Sequence, residues 1–359
     1  MNKLIICYGT RPELIKVAPI IWEFENNNLK DSLIIVNTNQ HKETLFEKDL
    51  NIIPDYTLDT FARNQSIVLL NAKISTQFNE LIKKLKINDN IIGVIAQGDT
   101  ITTLSIAQTS FFNLIPFYHI EAGLRSNSIH NPFPEEFNRR SISLCTNHHF
   151  VPSKIEENNL INEQIDKTKI TVSGNTVNDC LKHFFKDRPN DEKRNVLITI
   201  HRKENQNGNF DSIRRQIIDL AKKQKTFNFI WISHPNPNIQ TKINNLRNTT
   251  SNLRIIEPVG YKEMLELYKK SKIIISDSGG IMEESAFLGI PRIIVRSDIE
   301  RLSLLNLNDT FTFNPKKDDL ITLFNSANIT PSKPNYCYGK GNAGKLICAV
   351  LFKKLKKGS

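Results

Sequence analysis

The sequence predicts an α/β protein made of two doubly wound parallel-sheet domains in series. Three observations carry this. The chain has 359 residues, and at roughly 100 to 200 per domain that is enough for two domains, each burying its own core. Short β-rich runs alternate with helical patterns along most of the length, as βαβ units do. Polar and glycine-bearing motifs fall where apolar runs stop, at the strand carboxyl ends where such sheets bind ligands. With 39% hydrophobic and 24% charged residues, the composition is that of an ordinary globular chain and excludes a disordered or fibrous one.

In the first half, strands are expected at 3–8, 33–38, 91–97, 116–120, 149–152 and 170–173. Between the second and third, Ile67, Leu70, Ile74, Phe78, Leu81, Ile82 and Leu85 recur at helical spacing and predict a long helix with one apolar face. A second series begins at Asn195, with strands at 196–200, 229–233, 253–256, 272–276 and 292–295. The polar stretch 186–193 separates the two, giving expected domains 1–186 and 187–342. The last helical pattern, 343–357, has no strand after it and is expected to pack back on the first domain.

No apolar run approaches the roughly 20 residues of a membrane-spanning helix, and Met1 leads directly into a strand pattern rather than a signal segment. The expectation is a cytoplasmic protein with no membrane insertion. Cys7, Cys145, Cys180, Cys337 and Cys348 are odd in number and form no C-x-x-C pair, a pattern of reduced cytosolic thiols without a metal site. The net charge of +11 suits nucleic acid, an anionic membrane face or an acidic small substrate, and charge alone does not choose. The densest basic run, Lys353, Lys354, Lys356 and Lys357, has no interleaved aromatics beyond Phe352 and reads as a solvated tail, so no nucleic-acid partner is expected.

The first strand ends in Tyr8-Gly9-Thr10-Arg11-Pro12-Glu13. A glycine turn, a hydroxyl and an arginine at a helix start make an anion site, although Gly9 could serve only a tight turn. Three further segments carry carboxylates: Gln97-Gly98-Asp99-Thr100, His119-Ile120-Glu121-Ala122-Gly123-Leu124-Arg125, and Pro132-Phe133-Pro134-Glu135-Glu136-Phe137-Asn138-Arg139. In a parallel sheet the ends of neighbouring strands share a crevice, where Asp99, Glu121 and Glu135 could meet and, by pushing one another's pKa values apart, hold an acid and a base in one site. The structural alternatives are an N-cap for Asp99, first-turn acids for Glu135 and Glu136, and an ion pair of Glu121 with Arg125.

In the second domain, strands end in His201-Arg202-Lys203-Glu204 and in His234-Pro235. The sharpest motif is Ser276-Asp277-Ser278-Gly279-Gly280-Ile281-Met282-Glu283-Glu284. A strand closes, two glycines allow close approach of backbone N–H groups, and a helix begins, as a pyrophosphate site requires. Glu284, just over one turn in, is placed for ribose hydroxyls.

Taken together, these motifs resemble the bacterial non-hydrolysing UDP-N-acetylglucosamine 2-epimerase family. The matching segments also include Gly174-Asn175-Thr176 and Tyr338-Gly339, and they cover nearly the whole chain in order. The resemblance implies a GT-B architecture, two Rossmann-like domains facing across a cleft. It further implies a UDP-sugar substrate, a homodimer, no nicotinamide cofactor and no metal, and a role in supplying ManNAc-type precursors for surface polysaccharide. By resemblance, Asp99, Glu121 and Glu135 handle protons and charge, Arg139 positions carboxylates, and His201 lies near the leaving phosphate. UDP would contact Arg11, Lys16, Met264, Ser278, Gly279, Gly280 and Glu284. A second, activating UDP-GlcNAc would lie against Gln40, Arg63, Glu136, Arg202 and His234, with Glu43 where the family has glutamine. Two more departures are Met264 in place of a phenylalanine and Glu300-Arg301-Leu302-Ser303 in place of Glu-Arg-Pro-Glu. The competing readings are a hydrolysing 2-epimerase, an epimerase of a related UDP-2-acetamido sugar, a GT-B glycosyltransferase, a nucleotide-sugar sensor and a nucleic-acid binder.

Overall fold

Strands buried on both faces read as continuous apolar runs, and the two longest runs of this kind lie side by side at the centre of the first sheet. In the computed structural model, which describes residues 1–41, 45–126, 128–185, 193–200, 205–233, 243, 249–295, 307–330 and 332–357, these are β1 (Asn2–Tyr8) and β4 (Asn90–Gln97). They are joined in the same sheet by β2 (Leu33–Asn37), β3 (Tyr56–Thr57), β5 (Phe117–Ile120), β6 (His148–Val151) and β7 (Ile170–Val172). The order is β3-β2-β1-β4-β5-β6-β7, with every pairing parallel. A second parallel sheet contains β8 (Asn195–Thr199), β9 (Asn228–Ile232), β10 (Leu253–Ile256), β11 (Ser271–Ser276), β12 (Arg292–Ile294) and β13 (Thr310–Thr312). Its order is β10-β9-β8-β11-β12-β13. Both orders reverse direction once, between β1 and β4 and between β8 and β11, which is the doubly wound pattern.

Two compact units result. The first takes Met1–His183 and Tyr338–Ser359, the second Phe184–Cys337. Each has its own core, one around Ile5, Phe78, Val94 and Phe117, the other around Ile198, Trp231, Ile275 and Phe324. The chain re-enters the first unit at Tyr338, whose carbonyl accepts from Asn175 N at 2.8 Å and from Asn178 Nδ2 at 3.0 Å. Helix Ala343–Lys357 then lies on helix Arg11–Asn26. Gly344 is there because a Cβ would come within 3.0 Å of the Pro19 carbonyl oxygen. The helix start is capped from outside, Ala343 N and Gly344 N donating to Asp179 at 3.0 and 2.9 Å.

The long amphipathic helix spans Ile67–Leu85, with Ser66 accepting from Leu69 N as its N-cap. Its buried stripe is Leu70, Ile74, Phe78, Leu81, Ile82 and Leu85. Ile67, expected on that stripe, is exposed because it occupies the first turn, ahead of the packed face. The edge strands β3 and β13 were not anticipated; two or three residues leave no alternation to read. No helix among the described residues is long and apolar enough to cross a membrane.

Candidate active site

The switch point between β1 and β4 is where the first unit gathers its polar residues. After β1, Thr10 caps helix Arg11–Asn26 in a reciprocal box with Glu13. Glu13 is buried and accepts from Gly9 N at 2.9 Å, Thr10 N at 2.7 Å and the Thr10 hydroxyl at 2.9 Å. It also takes the hydroxyls of Thr100 and, at 3.2 Å, Thr103. One carboxylate thus ties the β1 turn to the β4 turn, and burial raises its pKa against those hydrogen bonds. Arg11 lies over the Phe46 ring, 4.8 Å from its centroid.

After β4, helix Ile101–Phe112 is capped by Thr100, not by Asp99, which removes the capping alternative for Asp99. Its carboxylate is held by Arg139, with Nε and Nη2 both 2.8 Å from Oδ2. Arg139 is nearly buried on helix Glu135–Cys145 and also reaches Glu136 Oε2 at 3.4 Å. Arg139 therefore does bridge carboxylates, and the described pair is Asp99 and Glu136. Glu135 is the first residue of the helix and half-buried. Glu136 is fully buried, accepting from Ser126 N and Arg140 Nε, both at 2.9 Å.

Glu121 follows β5 with φ of 61°, a left-handed backbone that is uncommon outside glycine and clusters at functional sites. The Lys16 ammonium lies 2.7 Å from both its oxygens, Asn175 Nδ2 donates at 2.9 Å, and Gln97 Nε2 donates as well. The structural alternative, an ion pair of Glu121 with Arg125, is not formed: Arg125 goes to Glu163, Nε and Nη2 each at 2.7 Å. Lys16, named with the diphosphate ligands, has its ammonium on Glu121.

In the second unit, the β11 end lies beside the β8 end at the other switch point. Asp277 is buried and accepts from Asn205 Nδ2 at 3.0 Å. Ser276 Oγ sits 2.7 Å from Thr199 Oγ1 and accepts from Ser278 N at 3.0 Å. Helix Gly279–Phe287 starts at Ser278, whose side chain makes no cap hydrogen bond. A Cβ at Gly280 would meet nothing within 4 Å among the described residues, so their packing does not require glycine there. What glycine leaves is open space at a helix N-terminus. Glu284 is buried and accepts from the Tyr268 hydroxyl at 2.5 Å. Met264 is half-buried on helix Tyr261–Lys270.

Of the second-ligand set, Gln40 accepts from Thr102 N at 3.1 Å and from its hydroxyl at 2.9 Å, and Arg63 is exposed. Glu43, His201, Arg202, His234 and the segment 300–303 lie outside the described residues. Sequence reasoning quoted Gln97 and Asn175 inside motifs and gave neither a place in the site. Their position at the ends of β4 and β7 was the available signal.

Two Rossmann-like domains in series, each with its polar residues at the switch point, make this a GT-B-type protein, the fold of its solved neighbours. The profile of the family described as UDP-N-acetylglucosamine 2-epimerase matches residues 24–352, and the chain belongs to that family. The UDP-N-acetylglucosamine 2-epimerase of Neisseria meningitidis serogroup A is 34% identical over 98% of this chain and 99% of its own. The crystal structure of the Neisseria meningitidis UDP-GlcNAc 2-epimerase bound to UDP-GlcNAc matches with a TM-score of 0.87 at 33% identity, covering 98% of this chain and 100% of that one. The Methanocaldococcus jannaschii enzyme in complex with UDP-GlcNAc and UDP matches with a TM-score of 0.87 at 30% identity, covering 98% and 99%.

Proposed function

We propose that the protein interconverts UDP-GlcNAc and UDP-ManNAc by a non-hydrolysing route. The C2 proton of the sugar has no carbonyl neighbour and is barely acidic, so direct deprotonation is out of reach. In the proposed route the C1–O bond breaks with its electron pair leaving on UDP, and the C2 proton is removed to give 2-acetamidoglucal. UDP oxygen then re-forms the bond to C1 as a proton is delivered to the opposite face of C2. Positive charge develops on the sugar and negative charge on the diphosphate. Asp99, Glu121 and Glu135 are proposed for the sugar, as two proton-handling groups and an electrostatic one. Arg11, His201 and the backbone N–H groups at Ser278, Gly279 and Gly280 are proposed for the diphosphate, with Glu284 on the ribose and Met264 against the base.

The observation that carries this reading is the pairing of strand-end carboxylates with nearly buried cations, Asp99 on Arg139 and Glu121 on Lys16. The test is proton NMR of the protein with UDP-GlcNAc in deuterated water, without added metal or nicotinamide. UDP-ManNAc should appear with deuterium at C2. Product retaining C2 protium, or free ManNAc in place of UDP-ManNAc, would overturn the reading.

We also propose a homodimer. Phe111, Phe112, Leu114 and Leu144 are 55, 79, 92 and 82% exposed at the ends of neighbouring helices, and exposed apolar side chains gathered in one place suit a contact with a second copy. Light scattering of the eluting protein tests it. The second UDP-GlcNAc site is proposed at Gln40, Arg63, Glu136, Arg202 and His234, with Glu43 as its departure from the family. Activation of UDP-ManNAc turnover by a trace of UDP-GlcNAc tests that site.

A further inference from the structure

The turn that delivers Asp99 is built on a glycine. Gly98 has φ of 84°, and a Cβ there would meet no atom of the described residues within 4 Å. Such a residue lends its neighbours conformational freedom, the opposite of what a group placed for chemistry needs. Yet three consecutive carbonyls of this turn each receive a buried side-chain donor, from three different elements. Gln97 O accepts from the Thr103 hydroxyl at 2.6 Å, Gly98 O from His119 Nε2 at 2.7 Å, and Asp99 O from Asn138 Nδ2 at 2.7 Å. Thr103, His119 and Asn138 are at most 2% exposed. Gly98 N completes the hold by donating to Ile120 O at 3.0 Å.

We propose that His119 and Asn138 are positioning residues that clamp the Gly98-Asp99 turn and so aim the Asp99 carboxylate. Thr103 also serves Glu13, which leaves His119 and Asn138 as the members directed at this turn. A carbonyl only accepts, so His119 must carry its proton on Nε2. Burial keeps the imidazole neutral against the nearby Asp99 and Glu121 charges, with Arg125 opposing them. Asn138 stands one residue before Arg139, so the residue that grips the Asp99 backbone and the residue that grips its carboxylate are fixed to the same turn of one helix. Backbone and side chain of Asp99 are thereby referred to a single rigid element.

This inference rests on the proposed epimerase reading, and the experiment separates the two. Wild-type turnover and C2 deuteration with UDP-GlcNAc test the function alone. The clamp is tested by His119→Leu, which keeps bulk and removes the donor, by His119→Gln, which returns a donor near Nε2, and by Asn138→Ser. His119→Leu should lower kcat about 100-fold, the scale of a misplacement of about 1 Å, with KM changed less than about threefold. His119→Gln should recover to within about tenfold of wild type. In an Asp99→Asn background His119→Leu should change residual turnover less than about twofold, because its effect passes through Asp99. Hydrogen exchange of the ligand-free protein reads the clamp with no activity needed: amides 98–100 should exchange faster in His119→Leu and Asn138→Ser, and slow again in His119→Gln. Equal losses in both backgrounds, or unchanged exchange at 98–100 in His119→Leu, which has no donor, or in Asn138→Ser, whose shorter hydroxyl falls short of the Asp99 carbonyl, would overturn it.

Discussion

Acid should loosen the first unit through two neighbouring buried histidines. His119 and His149 are register partners on β5 and β6, 2% and 0% exposed. Burial pushes His119 down to about 4 and His149 to about 3 from an ordinary 6.5. A histidine whose folded pKa is depressed contributes stability that is present above the unfolded pKa and is lost as pH falls towards the folded one. The window therefore opens near pH 6.5 and runs down to about 4 and 3. At about pH 5 nearly all unfolded imidazoles and few folded ones hold the extra proton, so each site costs about 2 kcal/mol, about 4 together. Neither ring nitrogen of His149 has a hydrogen-bond partner among the described residues. His149→Leu should then be neutral or stabilising at neutral pH and should halve the acid loss. The assay is urea unfolding at about pH 7 and about pH 5, read by hydrogen exchange in the β5 and β6 peptides. Equal losses in wild type and His149→Leu would refute the reasoning.

Asp99→Asn, Glu121→Gln and Glu135→Gln should each lower epimerase turnover by about 100-fold or more without unfolding the protein; near wild-type turnover in any of them returns that residue to a structural role. Gly280→Ala should fold normally, since the added methyl meets no atom of the described residues within 4 Å, yet weaken UDP binding by about tenfold through lost N–H approach. Titration calorimetry checks this, and unchanged affinity would detach the Gly-Gly turn from the nucleotide. Burial, opposed by the Gly344 and Ala343 N–H groups, lifts Asp179 from 3.8 to about 6, so its contribution is full below 3.8 and is lost as pH rises through about 6. The stability of Asp179→Asn relative to wild type should therefore rise between about pH 4 and 6, by about 2 kcal/mol after allowing for partial exposure. A flat difference in thermal unfolding across that window would contradict it.

The parallel sheets were legible because β1, β4, β8 and β11 are apolar on both faces, and because their ends change abruptly to glycine and charged residues. That same contrast located Asp99, Glu121 and the Gly-Gly helix start. The partners of those residues were not legible. Lys16, on helix Arg11–Asn26, stands 105 residues from Glu121 and Asn175 stands 54 away, and no local pattern encodes contacts between segments that meet only in the folded unit. Arg125, close in sequence to Glu121, pairs instead with Glu163, 38 residues further on. Glu13 shows the opposite case. A capping box is a short-range signature, and the spacing of Thr10 and Glu13 contained it.

The first unit is closed by the last residues of the chain, with the whole second unit inserted between His183 and Tyr338. On the ribosome, the second unit is complete and free to fold while the first still lacks the helix that covers Pro19 and Phe24. The apolar groove that awaits Ile347, Cys348 and Leu351 is exposed for the time needed to synthesise well over a hundred residues, at about 5 to 20 per second. Completion of the first unit therefore waits on helix Ala343–Lys357. A nonsense or frameshift lesion shortly after Tyr338 would release a chain with one finished unit and one open, aggregation-prone one.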